Sequence, residues 1–225
     1  MLSDLDGCLV SEGQAFADAQ TFVQRCGARL WVVSNNSTHR AAELSAFLSS
    51  CGLEIAPERI LLAGQQALLH LAKTHPGARL AVFASTAVVQ DARLLGFDLD
   101  SGRPDIVLLC RDPQFSLNRL DLLTAYVRQG ATLWVANMDV AHPGLRGQPI
   151  AETGAVLAAV RAILGDVPAR SIGKPQPHMI QTALKRAGVS AGTAVFVGDN
   201  AATDGAGARA AQVPFVHLTR AEGQT

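Results

Sequence analysis

The chain holds one tyrosine, two tryptophans and no surplus of either charge, with 19 Lys and Arg against 19 Asp and Glu. Without a basic excess, it is not expected to hold a nucleic acid or an anionic membrane by bulk electrostatics. No apolar run approaches the ~20 residues a membrane span needs, and no charged leader precedes an apolar stretch. A soluble, cytoplasmic protein is the expectation. The four cysteines, Cys8, Cys26, Cys51 and Cys110, lack paired metal-ligand spacing. They read as reduced small hydrophobes, not as a disulfide frame or a zinc site.

What is present is an apolar alternation. Hydrophobic residues make up 48% of 225 positions, enough for a substantial core, and the length suits a core domain carrying an insertion. Short β-branched and aromatic runs alternate with longer amphipathic segments, the pattern of an α/β protein with a mostly parallel, doubly wound sheet. Strands are expected just before Asp4 and at Leu30–Val33, Ile60–Ala63, Leu80–Ala84, Ile106–Cys110, Thr132–Asn137, Thr193–Val197 and Pro214–Leu218. Phe16, Ala19, Phe22, Val23 and Cys26 recur at helical spacing, which predicts one helix from Gln14 to Cys26. Only three residues precede Asp4, so the first strand either starts abruptly or belongs to a shortened chain. The tail to Thr225 is polar and expected to fray.

Polar residues gather at the strand ends. Asp4 and Asp6 flank one residue, so on an extended chain both project to one side. Two acids at one point are stable with a cation between them or a shared proton, and a solvated turn would serve as well. Ser34, Asn35 and Asn36 follow the second apolar strand, where such side chains cap a helix or address an anion. Lys174 lies before Pro175, which blocks helix continuation there, and a lone lysine of this kind is usually solvated surface. Asp199 follows the strand ending at Val197, and Asp204 stands near the start of the next helix, a common capping place. In an open parallel sheet, ligands bind beyond the carboxyl ends of the strands.

Together, Asp4-Leu5-Asp6-Gly7, Ser34-Asn35, Gly173-Lys174-Pro175 and Gly198-Asp199-Asn200 with Asp204 resemble, in order, the four motifs of the haloacid dehalogenase-like phosphatases. The long insertion between the second and third motifs resembles the subclass of p-nitrophenyl phosphatase-like and ribonucleotide monophosphatase-like members, which carry a large α/β cap. Asn137-Met138-Asp139 followed by Pro143-Gly144, and Gly173-Lys174-Pro175-Gln176-Pro177, resemble stretches of that subclass. The likeness spans nearly the whole chain. It departs after Gly7, where Ala17-Asp18 replaces the usual Pro-Gly.

The resemblance implies a Rossmann-like core over residues 1–77 and 166–225 and an inserted cap over 78–165. It implies a Mg²⁺-dependent phosphomonoesterase acting on a small phosphorylated metabolite. Asp4 would be the nucleophile and Asp6 the general acid and base, with Ser34 and Lys174 completing the catalytic set. Asp4, Asp6 (through its backbone carbonyl) and Asp199 would hold Mg²⁺, with Asp204 behind them. Substrate contacts would come from Ser34, Asn35, Asn36, Asn137, Asp139, Lys174 and Asn200. The cap would act as a lid that excludes water, with specificity around Asn137 to Gly144, and two chains would pair through their caps. A binding protein that has lost turnover, and a phosphotransferase, are the competing readings of the same motifs.

Overall fold

A computed structural model describes residues 1–11, 13–143 and 148–220. The chain separates into two compact units: Met1–Ser34, Arg40–Leu62 and Gly173–Thr225 form the first, Asn35–His39 and Ala63–Ile172 the second.

The first unit opens with β1 (Leu2–Ser3), a hairpin of β2 (Val10–Ser11) and β3 (Gln14–Ala15), α1 (Ala19–Cys26), β4 (Trp31–Ser34), α2 (Ala41–Ser50) and β5 (Ile60–Leu62). In the second unit follow α3 (Ala63–Thr74), β6 (Leu80–Phe83), α4 (Thr86–Leu94), β7 (Ile106–Leu109), α5 (Leu117–Arg128), β8 (Thr132–Val135), a hairpin of β9 (Ala141–Pro143) and β10 (Pro149–Ala151), α6 (Thr153–Leu164) and β11 (Ala169–Ser171). The chain re-enters the first unit with α7 (His178–Ala187), β12 (Phe196–Gly198), α8 (Ala206–Ala210) and β13 (Phe215–His217).

The first unit is built on a parallel five-stranded sheet in the order β13-β12-β1-β4-β5. Every residue of β4 is buried, which is why Trp31-Val32-Val33 reads as a continuous apolar run instead of an alternating one. One core gathers Leu5, Leu9, Phe16, Val23, Val32, Leu44, Leu48 and Ile60, each worth about 1.5–3 kcal/mol when buried. Met179, Ile180 and Ala183 of α7 are buried as well, and α7 packs against β4 and β5.

The second unit has its own parallel sheet, β11-β8-β7-β6, and its own core around Phe83, Val107, Leu109, Leu123, Leu133, Val135, Leu157 and Val160. It extends beyond the expected 78–165. Residues 63–77 belong to it because α3 packs against α4, and residues 166–172 because β11 pairs with β8.

The helix expected from Gln14 starts only at Ala19. Gln14 and Ala15 pair antiparallel with Ser11 and Val10 instead. Phe16 is buried ahead of the helix, so a helical spacing ran through a segment that is partly strand. The loop expected between Asn137 and Gly144 contains β9, paired with β10; Gly144 and the tail residues 221–225 lie outside the described residues. No helix among the described residues is long and apolar enough to cross a membrane.

Candidate functional site

Parallel pairing carries the carboxyl ends of β1, β4 and β12 to one edge of the first unit's sheet. Ser3 stands opposite Val32 and Val197, and the Asp4 amide donates to the Val197 carbonyl at 2.9 Å. Asp4, Ser34 and Asp199 therefore each leave or end a neighbouring strand at nearly the same level.

Lys174 binds this edge together. It is 2% exposed, and its Nζ lies 2.6 Å from Asp4 Oδ1 and 2.6 Å from Asp204 Oδ1. Burial pulls its pKa down, but the two carboxylates outweigh burial and the net shift is upward. Lys174 is thus a fixed positive charge, not a solvated surface lysine. Asp4 is pushed up to about 8, chiefly by burial and further by Asp204 and Asp6, against the pull of Lys174. Asp199 is raised too, by its partial burial first and by the neighbouring Asp204. Three carboxylates therefore share one ammonium.

That imbalance, and the donors themselves, fit a divalent cation. Ligand atoms of Asp4, Asp199 and Cys8 all lie within 4.8 Å of one another. Gly7 adopts φ +75°, and a Cβ there would run into the Asp199 carboxylate. A Cβ on Gly198 would collide with the Asp204 carboxylate. The two glycines are the space these acids occupy. Carboxylate oxygens with room for water and phosphate suit Mg²⁺.

The other expected residues divide between the units. Asp6 is exposed, yet close enough to raise the pKa of both Asp4 and Asp199. Ser34 is buried as the last residue of β4. Asn200 caps the turn that carries Asp204, its Oδ1 accepting from the amides of Ala202 and Thr203 at 2.9 and 3.3 Å.

Asn35, Asn36, Asn137 and Asp139 lie in the second unit. Asn35 Nδ2 donates to Asp139 Oδ2 at 2.9 Å, and the buried Asn137 donates to the Asn35 carbonyl at 2.8 Å. Asn137 Oδ1 accepts from the Asp139 amide at 3.1 Å. Asn36 Oδ1 accepts from the amides of Thr38 and His39, each at 3.0 Å. These contacts fix loop shape, and they seat Asp139 against Asn35.

Two participants escaped the sequence reading. Cys8 passed as a small hydrophobe, which its 2% exposure supports, but its thiol reaches the carboxylates. Arg220 was assigned to a polar tail. Its Nη2 and Nε donate to the carbonyls of Cys8 and Gly7 at 2.6 and 3.2 Å, and its guanidinium stacks 3.6 Å from the Phe16 ring centre. Nothing in the local sequence marks Arg220, since its partners are more than 200 positions away. All four cysteines are free.

A haloacid dehalogenase-like hydrolase family model matches residues 1–98, and a second, HAD-hydrolase-like, matches residues 171–222. The dihydroxyacetone phosphatase of Corynebacterium glutamicum is 31% identical over 90% of this chain and 74% of its own length. The chain belongs to the haloacid dehalogenase-like hydrolases. Within that family it falls among the p-nitrophenyl phosphatase-like phosphatases. The D-glycerol 3-phosphate phosphatase of Mycobacterium tuberculosis is 32% identical over 95% of this chain, which spans 61% of that protein. The crystal structure of a glycerol phosphate phosphatase from the same organism, in complex with magnesium, superposes with a TM-score of 0.86 at 30% identity, covering 96% of this chain and 66% of that one. The family's α/β fold, a doubly wound Rossmann-like core with an inserted α/β cap, accounts for the two sheets.

Proposed function

We propose that this chain is a Mg²⁺-dependent phosphomonoesterase that hydrolyses a small phosphorylated metabolite of the triose or polyol phosphate class through an aspartyl-phosphate. The observation that carries the reading is the buried Lys174 held between Asp4 and Asp204, with Asp199 converging on Asp4. The substrate class rests on the relatives, which are named dihydroxyacetone phosphatase, D-glycerol 3-phosphate phosphatase and acid sugar phosphatase.

Asp4 attacks phosphorus, and its Oδ1 is already engaged by Lys174, which leaves the second oxygen to act as nucleophile. The covalent intermediate divides one difficult hydrolysis into two displacements. Asp6 gives a proton to the departing alkoxide and then takes one from the attacking water. Lys174 neutralises charge growing on the phosphoryl oxygens, and Ser34 and the Asn35 backbone donate to them. Asp4, Asp199 and the Asp6 carbonyl would hold Mg²⁺, which supplies charge neutralisation to the phosphoryl group when bound. Asp204 anchors Lys174. Asn137 and Asp139 are assigned to recognition of the leaving group, with Asn36 and Asn200 at the margins of binding.

The test is release of inorganic phosphate from a panel of glycerol phosphate, dihydroxyacetone phosphate, sugar phosphates and p-nitrophenyl phosphate. Turnover with Mg²⁺ that chelation abolishes supports the reading. Absence of release across the panel would favour a binding protein, and product that tracks acceptor alcohol concentration a phosphotransferase.

A further inference from the structure

Mg²⁺ prefers oxygen ligands and has no use for a thiol, yet Cys8 Sγ lies within 4.8 Å of the Asp4 and Asp199 oxygens. Among the described residues, no other group of three His, Cys, Asp or Glu side chains converges in this way. Two ligands of one Zn²⁺ are separated by at most the sum of their bond lengths, about 4.5 Å for sulfur and oxygen. Three ligands of a tetrahedral Zn²⁺ sit closer still, about 3.4–3.7 Å apart, so a closure of up to about an ångström brings all three atoms onto a single ion. The cysteine is also held in place. Arg220 fixes the Gly7 and Cys8 carbonyls, those of the peptides on either side of the Cys8 Cα, and the residue is buried, so the donor is positioned before any metal arrives.

We infer that Cys8, with Asp4 and Asp199, makes this edge a capture site for thiophilic divalent cations such as Zn²⁺ and Cd²⁺, which displace Mg²⁺ and stop turnover. This inference rests on the reading of Asp4 and Asp199 as cation ligands. On binding, a metal–sulfur bond forms, the thiol S–H bond breaks and the proton leaves to solvent. A thiolate added to two carboxylates favours zinc-group metals over Mg²⁺ by ligand softness. Metal availability would then govern the enzyme through one side chain that the phosphoryl chemistry does not require.

The experiment is a Cd²⁺ titration of the full chain, read by thiolate-to-cadmium charge-transfer absorption and repeated with excess Mg²⁺. The expected result is one equivalent bound in the unmutated protein and in the Cys26→Ser/Cys51→Ser variant, with a midpoint that Mg²⁺ shifts upward. In Cys8→Ser that absorption is lost and the Zn²⁺ concentration for half-inhibition rises at least about tenfold, since even changes to groups behind a metal's own ligands cost 10–100-fold. A band that persists in Cys8→Ser, or that Mg²⁺ fails to displace, would overturn the inference. The Mg²⁺ competition uses unmutated protein and decides the matter even if the serine variant does not fold. Cd²⁺ capture by a protein that hydrolyses none of the phosphate panel would leave this site standing and remove the phosphatase reading. Mg²⁺-dependent turnover without Cd²⁺ capture would do the reverse.

Discussion

Lys174 Nζ lies 2.6 Å from Asp4 Oδ1, and the ammonium that makes this contact is buried with Asp204 on its other side. The lysine and the nucleophile are therefore unequal partners. Lys174 has two carboxylates and no solvent, whereas Asp4 is a buried acid whose ionised form is already disfavoured.

Lys174→Met is expected to cost about 3–5 kcal/mol, the usual consequence of leaving buried charge without its partner. Asp4→Asn leaves Lys174 paired with Asp204 and should cost no more than about the 1.5–3 kcal/mol of one hydrogen bond from a charged donor. Chemical denaturation of both variants without added metal measures the difference. Equal losses would contradict this arrangement.

Gly7→Ala places a Cβ against the Asp199 carboxylate, at a backbone angle that side chains rarely adopt. Displacing that acid should weaken Mg²⁺ binding by about 10–100-fold, the range seen when a metal's supporting groups are disturbed. The Mg²⁺ concentration giving half-maximal phosphate release reports it. An unchanged value would show that Asp199 does not need this space.

The strand-end residues were legible because buried parallel strands are apolar throughout, so the first polar residue after each one stands out. Ser34 and Asp199 are of this kind, whereas Asp4, which follows the polar Ser3, stood out through its spacing from Asp6. Lys174 was legible only through its motif, since a lone lysine beside a proline gives no sign of burial. The β2–β3 and β9–β10 hairpins were not legible: their strands are two or three residues long, too short for alternation to register. Cys8 and Arg220 were missed for a different reason. Their importance comes from neighbours brought close by the fold, and no spacing along the chain encodes that.

Arg220→Ala removes two hydrogen bonds to the loop carrying Asp4 and Asp6, together with the stack on Phe16. Bonds from a charged donor contribute about 1.5–3 kcal/mol, and most of that range should appear as lost stability. The turnover rate should fall as well, because the Gly7 and Cys8 carbonyls lose their anchor. Arg220→Lys is not expected to rescue either effect, since an ammonium cannot bridge two carbonyls and stack in the same geometry. Thermal melts and steady-state rates of both variants check this.

Glu152 offers a pH-dependent test away from the catalytic groups. Burial raises its pKa above the ordinary 4.5, although Arg111 and His142 pull the other way. Arg111 lies at 3.2 Å and His142 at 2.8 Å. The folded protein thus keeps a proton that the unfolded chain has already released. Stability should fall as pH rises from 4.5 through the raised folded value, and level off above it. Glu152→Gln removes this contribution. Its melting temperature should therefore decline less over that window than the unmutated protein's, and identical slopes would count against the assignment.

The central claim is that Asp4 carries the phosphoryl group in turnover, and trapping that intermediate tests it most directly. Acid quenching during steady-state hydrolysis, followed by borohydride reduction and peptide mass spectrometry, should convert Asp4 to homoserine in the unmutated protein and leave Asp6 intact. A phosphatase that turns over without marking Asp4, or that keeps full activity as Asp4→Asn, would contradict the account.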